Sequence, residues 1–550
     1  MQVGTLAGDG EGEIARCPDE VARLTAENES LRAERDRLLV RVSDLEAALE
    51  AAKADLVKLT LALRHESERS PRQPAPTETD AGSSEGAGAD PGARRRRGQQ
   101  RGAPGHGRRS YDHLPTTEVV HHPHPEQLVC PTCGRPYAEG PGEERSEELH
   151  WKVSFTRVIH RRPRYHQTCS CPGVKGLLTA PPPPKVIAKG RMSAGLLARL
   201  LVAKYVVGTP CRRLAMSLAM EGAELAPGTL AGLLQALAPL LAPLAAAIRA
   251  RNAGSALLHV DETSWPVFVA LVDGERRRWW LWVFVGEDSV AYVIRPDRSA
   301  VVLADHLGVD LDAEIPSLPG GPVVVCSDFF TAYQRLGRSV EGFTNSWCWA
   351  HLRRHVVEAA KAHPRICGAW GQQWLERIGE LFAAHRRLVL AEPGSHDAGV
   401  ARAELARVVH GIDATRTIEA VDPHTPRAAA KVLATLEREW EGLMVPIAAE
   451  GDLDNNVAER ALRSPVVGRK NYYGSGAAWS AGLAADAWSI TATVGLAGWN
   501  PLTHLEAYLS ACATNGGRPP EGAALTAFLP WGTAAADASC FSAPPRSRDP

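Results

Sequence analysis

Unbroken apolar length is what this 550-residue chain most clearly lacks. Its most apolar stretch, Leu233 to Ile248, is interrupted by Gln235, Pro239 and Pro243 and reads as helix packed in protein, so no bilayer span is expected. The first residues, MQVGTLAGDGEGEIAR, lack the basic-then-apolar order of a signal peptide, and a cytoplasmic location is expected. Net charge is scarce too, at -1, but the balance hides a local excess discussed below. The 11 cysteines do not suggest a disulfide framework in a cytosolic chain, and four of them fall in close pairs, which points to metal. The length exceeds one compact core, and 44% apolar against 23% charged residues leaves enough to bury several. A multidomain chain follows.

From Val21 to Leu63 a heptad pattern runs without proline or glycine, with leucines at Leu24, Leu31, Leu38, Leu45 and Leu59. The facing positions are Val21, Asn28, Arg35, Val42, Leu49, Leu56 and Leu63. A coiled coil over 17–65 is expected, and Asn28 in its seam favours a registered homodimer, because its amide is satisfied only by the partner's. A long helix packed on its own chain is the alternative, since Arg35 weakens the seam. Between Glu66 and Ser110 no Val, Ile, Leu, Met, Phe, Trp or Tyr occurs, so residues 66–115 read as a disordered linker. That linker carries Arg94, Arg95, Arg96, Arg97, Arg101, Arg108 and Arg109 with no intervening acid, a composition suited to tracking a phosphate backbone.

Residues 116–185 read as a zinc-binding subdomain. Cys130-Pro-Thr-Cys133-Gly134 is a knuckle that can wrap a tetrahedral ion, and Cys169-Ser-Cys171 would complete four thiolates, with His166 an alternative ligand. Reduced thiols in a small β subdomain remain the other reading. Residues 186–254 are helical in pattern. Within them Arg212 to Leu237 resembles two short helices around Gly222, which fits either a DNA-binding helix-turn-helix or plain packing.

At Ala256 the pattern turns to strands. Ala256 to Val260 is an apolar run ending in Asp261, and Pro322 to Ser327 is another ending in Asp328. Val267 to Val272, Trp279 to Val285 and Ala291 to Ile294 read as further strands. A carboxylate against an apolar strand is costly unless paired or bound to a cation. A third acid, Glu459, lies in the first turns of a helix that Asp454, Asn455 and Asn456 would cap. Together the three could hold two divalent cations for phosphodiester chemistry, although acids at strand ends and helix starts are also ordinary.

These residues resemble the transposases of the insertion sequence 66 family. The likeness rests on RGQQRGAPGHGRR at Arg97–Arg109, CPTCG at Cys130, LLHVDETSW ending at Trp265 and CSDFFTAY ending at Tyr333. It extends to CWAHLRR at Cys348–Arg354 and to DNNVAERALRSPVVGRKNYY at Asp454–Tyr473. The resemblance implies a multidomain α/β protein whose residues 255–510 form a ribonuclease-H-like domain of DDE type, with a helical insertion at about 356–451. Asp261, Asp328 and Glu459 would be its catalytic acids, holding two Mg2+ or Mn2+ ions. His351, Arg353 and Arg354, with Arg460, Arg463, Arg469 and Lys470, would meet DNA at the element ends and target. It further implies accessory transposition proteins, and a structural Zn2+ held by Cys130, Cys133, Cys169 and Cys171, although the CxC spacing departs from the CxxC of the family. A regulator with an inactive nuclease fold, or a nuclease that cuts without joining, is the rival reading. The tail over 511–550 carries no functional signal.

If Val21–Leu63 pairs two chains, deleting it converts the oligomer seen by light scattering to monomer; an unchanged oligomer refutes the coiled-coil dimer.

Overall fold

The computed structural model describes residues 177–268 and 279–532 throughout, together with 154–166 and scattered positions between 116 and 168. The expected coiled coil, the arginine-rich segment and the last eighteen residues of the expected tail lie outside the described residues. A short antiparallel pair, β1 (Arg164–His166) and β2 (Leu177–Thr179), comes first. Then follow α1 (Ala194–Leu201), a π-helical turn over Val202–Val206, α2 (Cys211–Met220) and α3 (Pro227–Ala253).

A five-stranded mixed sheet forms the middle of the chain. Its strands are β3 (Leu257–Trp265), β4 (Trp279–Val285), β5 (Val290–Arg295), β6 (Val323–Ser327) and β7 (Phe343–Trp347), ordered β5-β4-β3-β6-β7. β4 runs antiparallel to both β3 and β5, whereas β6 is parallel to β3 and β7 is parallel to β6. Helices α4 (Ala300–Leu307) and α5 (Thr331–Ser339) supply the crossovers that parallel neighbours require. After β7 come α6 (Trp349–Ala362), α7 (Pro364–Leu390), α8 (His396–Val421), α9 (Arg427–Arg438) and α10 (Trp440–Ala448). The chain then returns to the sheet with α11 (Asn456–Tyr472), α12 (Ala478–Leu496), α13 (Pro501–Thr514) and the one-turn α14 (Ala523–Thr526).

Strand alternation divides the core in two. Trp265, Leu281, Val283, Val285 and Tyr292 face α1, α3, α11, α12 and α13. Leu258, Val260, Trp282, Phe284 and Ala291 face α4 to α10. The result is a helix–sheet–helix sandwich. Trp488 of α12 anchors the first layer, with its ring edge-on to Trp265 at 5.1 Å and its Nε1–H donating to Tyr205 O at 2.8 Å. The free edge of β5 is closed by the same helix: Thr493 Oγ1 accepts from Val290 N–H (3.0 Å) and Ser489 Oγ from Tyr292 N–H (2.9 Å). Two hydroxyls one helical turn apart thus stand where a sixth strand would bond.

Several expectations are corrected. β3 does not stop at Asp261 but runs four residues further, pairing with β4 as far as Trp265↔Trp279. The buried Trp265, whose Nε1–H donates to Ser475 Oγ at 3.0 Å, draws the strand on. Val267 forms only an isolated bridge with Ser475, and 269–278 lie outside the described residues. The two short helices expected around Gly222 are one short helix and one of 27 residues. By length and composition α3 is the one helix among the described residues that could cross a membrane, but Leu230, Leu234, Leu237, Leu241 and Leu244 are buried in the first core layer. Residues 186–254 are therefore not a separate region: α3 packs on β5 and α12, and α1 packs on α13. The run of helices after β7 begins with Trp349, buried in the second core layer, ahead of the expected 356. At the other end α13 continues to Thr514, past the expected boundary at 510, and Leu529 and the His504 Nε2 contact to Phe528 O (2.8 Å) fasten the following segment to it.

Candidate active site

β3 and β6 are the central parallel neighbours, in register Leu257↔Val324, Leu258↔Val325 and His259↔Cys326. The same offset carried two residues on sets Asp261 level with Asp328, the residue that follows β6. Alternation turns Asp261 to the face covered by α11 and the adjacent Glu262 to the opposite face. Glu459 occupies the first turn of α11, which packs along β3. Three acids from segments almost 200 residues apart in sequence are thereby gathered at one end of the sheet.

The electrostatics show how close they are. Asp261 has its proton affinity raised from 3.8 to about 7, mostly by burial, then by the charges of Glu262, Asp328 and Glu459. Its one compensating contact is the Glu262 N–H donating to Oδ1 at 2.8 Å. Asp328 is oriented by the Phe330 N–H, which donates to its Oδ1 at 2.9 Å. Glu459 Oε1 stands 3.9 Å from His351 Nε2 and 3.7 Å from an Arg354 terminal nitrogen, a loose pairing. Burial pushes the His351 imidazole down, Asp328 and Glu459 oppose that, and its Nδ1 is buried without a partner. Among the described residues no three His, Cys, Asp or Glu side chains converge into a ligand cluster as they stand.

Glu262 is a different kind of carboxylate. Although buried, it accepts from Arg298 Nε at 2.7 Å and from the Tyr333 hydroxyl, and Arg298 is itself sandwiched over the rings of Phe330 (4.1 Å) and Trp280 (4.5 Å). Paired on its own face, Glu262 braces β3 against α5. Asp454, the other acid beside the favoured three, accepts from Asn456 N–H at 3.0 Å and so turns the chain into α11, the capping role expected of it.

Asn455 does not cap α11 as its position in the sequence predicts; it makes no cap bond. Buried to 2% exposure, it is instead a clasp between the elements that carry the acids. Its Nδ2 donates to Val260 O (2.8 Å), its Oδ1 accepts from His259 Nδ1–H (3.2 Å), and its N–H donates to Cys348 Sγ (3.2 Å). Cys326 Sγ–H reaches Asp454 O at 3.8 Å, and Trp349 N–H reaches Leu453 O at 2.9 Å. The turn before α11 is thus tied to β3 next to Asp261, to β6 just before Asp328, and to the start of α6 that carries His351. His259, Cys326 and Cys348 were not singled out from the sequence. The signal available was their place one or two residues from the favoured acids or within the CWAH motif.

The basic residues divide. Arg353, Arg354, Arg460, Arg463 and Lys470 are exposed. Arg469 departs from the expectation, because its guanidinium donates to Ser264 O, to Thr263 Oγ1 (3.1 Å) and to Ser264 Oγ (3.3 Å), fastening the far end of α11 to β3. Arg94, Arg95, Arg96, Arg97, Arg101, Arg108 and Arg109, together with Cys130, Cys169 and Cys171, lie outside the described residues. Cys133 is an exposed free thiol, in a turn over 131–133 that ends at Gly134 with φ +71 and is closed by Tyr137 N–H donating to Leu128 O at 2.7 Å. That left-handed glycine suits the knuckle expected there.

Residues 189–482 match the Transposase IS66 family, a span that contains all three acids, the clasp and the helical insertion. More than half of the chain is covered, and the chain belongs to that family. It is also similar to the uncharacterized protein y4qI of Sinorhizobium fredii (strain NBRC 101917 / NGR234), 26% identical over 410 residues that make up 71% of each chain. The uncharacterized protein y4hP of the same strain is 24% identical over 428 residues, 73% of each chain.

Two outcomes follow from this geometry. Asn455→Ala leaves Val260 O and His259 without their partner, so unfolding by denaturant should be easier by about 1–3 kcal/mol; an unchanged midpoint refutes the clasp. Asp261 favours its proton in the folded state, so the stability linked to it is full below pH about 4 and is lost as pH rises through about 7. Asp261→Asn should therefore melt higher than wild type at pH 8 in chelator and equally at pH 4, and a gain independent of pH counts against the burial of this charge.

Proposed function

We propose that the protein is a DDE-type DNA transposase that binds the ends of its own insertion sequence and cuts and joins DNA at Asp261, Asp328 and Glu459. The observation that carries this reading is the gathering of those three acids, each inside the family-matching span, from β3, from the end of its parallel neighbour β6 and from the helix laid along β3. A mixed sheet flanked by helices, with acids on its central strands, is the arrangement that a ribonuclease-H-like domain requires of this chain.

The donor set suits hard divalent cations. Asp261, Asp328 and Glu459 offer only carboxylate oxygens, and Asp261 faces three like charges with no guanidinium or ammonium against it. The three would hold two ions, magnesium or manganese, which when bound activate the attacking oxygen and stabilise the leaving oxygen of an in-line displacement. Burial and like charges favour a proton on Asp261, which that carboxylate would lose on holding the ions. Phe330 N–H keeps one oxygen of Asp328 turned away, which fixes the direction of the other. His351, held neutral by burial, borders Glu459, while Arg353, Arg354, Arg460, Arg463 and Lys470 contact phosphates on either side of the scissile bond. Cleavage at the element end releases a 3′-hydroxyl, and the same acids then serve its attack on target DNA.

The remaining segments fit this activity. The Arg94–Arg109 arm follows the DNA backbone, Cys130, Cys133, Cys169 and Cys171 hold a structural zinc, and the coiled coil joins two chains so that two ends are held together. The site of action is the cytoplasm, with accessory transposition proteins as partners. The test is a cleavage and strand-transfer assay in magnesium on DNA bearing the element's ends. Asp261→Asn, Asp328→Asn and Glu459→Gln should each fall to background while end binding is retained. Wild type that binds the ends without cutting them, even with the accessory proteins supplied, overturns the reading in favour of a DNA-binding regulator.

A further inference from the structure

Tyr473 ends α11 in the left-handed region, at φ +66, and its ring is 73% exposed. Glycine usually takes this place at a helix end, because a side chain there crowds the backbone. A glycine stands one residue on, but it is committed: Gly474, at φ +131, lies so close to the Pro266 carbonyl that any side chain would strike it. The strain at Tyr473 is therefore present, and burial of the ring does not offset it. Strain held without a packing reason points to use of the side chain by something outside the fold.

What surrounds Tyr473 says which ligand. Phe268, 56% exposed, follows the Val267 bridge to Ser475, and its N–H donates to Ser475 O at 2.9 Å, so a second open ring belongs to the segment paired with the chain just past Tyr473. Leading up to them on α11, Arg460, Arg463 and Lys470 are exposed at intervals of three and seven, which sets them along one side of the helix. The row starts beside Glu459 and ends three residues before Tyr473. A file of cations closed by an open aromatic ring is how proteins hold unpaired DNA, the cations on the phosphates and the ring on the face of a base. Fourteen residues of helix separate Glu459 from Tyr473, about 20 Å, or roughly six nucleotides at the spacing of a duplex strand.

We propose that Tyr473 is a stacking platform for an unpaired nucleobase of the DNA flanking the cleavage point. A base inside a duplex has both faces covered, so the platform selects DNA that is open or frayed some six nucleotides from the acids. The inference rests on the transposase reading but concerns a site that the chemistry of cleavage does not need.

The test compares full-length protein binding to a twelve-nucleotide oligothymidylate and to an abasic strand of the same length and charge, by fluorescence anisotropy. Wild type should prefer the base-bearing strand by about tenfold. Tyr473→Trp should keep that preference, whereas Tyr473→Ala and Tyr473→Gly should abolish it without changing affinity for the abasic strand. Tyr473→Gly should also melt no lower than wild type, since it relieves the left-handed residue, which separates loss of stacking from loss of folding. Equal binding of both strands by wild type, or a preference that survives in Tyr473→Ala, overturns the platform; if cleavage of element ends is intact in that protein, the transposase reading stands without it. Failure to bind either strand overturns both.

Discussion

A carboxylate at Asp261 that is withdrawn from water among like charges is the constraint around which this protein is arranged. Burial, and then the charges of Glu262, Asp328 and Glu459, make a charge on Asp261 costly, and nothing basic is set against it to lower that cost. A fold that gathers such groups must hold them from behind with interactions that do not neutralise them. The Asn455 clasp does this with uncharged partners: a carbonyl of β3, an imidazole kept neutral by burial, and a thiol whose proton affinity burial raises to about 11. None of these partners brings a positive charge to Asp261, which keeps its raised proton affinity.

The two layers of helices serve the same end differently. On one face α12 is bonded to the edge of β5 through Ser489 and Thr493 and is wedged by Trp488 against β3, so the sheet's outer half cannot slip in register. On the other face Glu262, Arg298 and Tyr333 bind β3 to α5. A shift of one residue in β3 would exchange Asp261 for Glu262 and turn the wrong carboxylate to α11. The pairing that Glu262 makes on its own face therefore guards the register as well as the charge.

Much of the site was legible in the chain. Each favoured acid follows an apolar run or opens a helix, and each lies in a motif whose order along the chain resembles a known family. The failures have physical causes. The end of β3 was misread because Asp261 and Glu262 look like a terminus by polarity, whereas the strand is prolonged by burial of Trp265 under residues contributed from beyond position 470. Arg469 was grouped with the other cations because charge is visible in a sequence and its occupation by Ser264 and Thr263 is not. Asn455 was given the commonest local task for its type, a helix cap, when its partners are almost 200 residues away.

The amino-acid sequence by itself determined the periodicities, and through them which segments are strands and helices, which side chains face a core, and which acids stand at the junctions. Those are local properties, set by the spacing of apolar residues and the preferences of individual side chains. Only the tertiary structure decided that α3 and α12 both pack on β5, that Asp261 and Glu262 have opposite fates, and that Asn455 joins three elements. Such outcomes depend on which distant surfaces meet, and burial fixes the partner of a polar group only after the chain has been brought together.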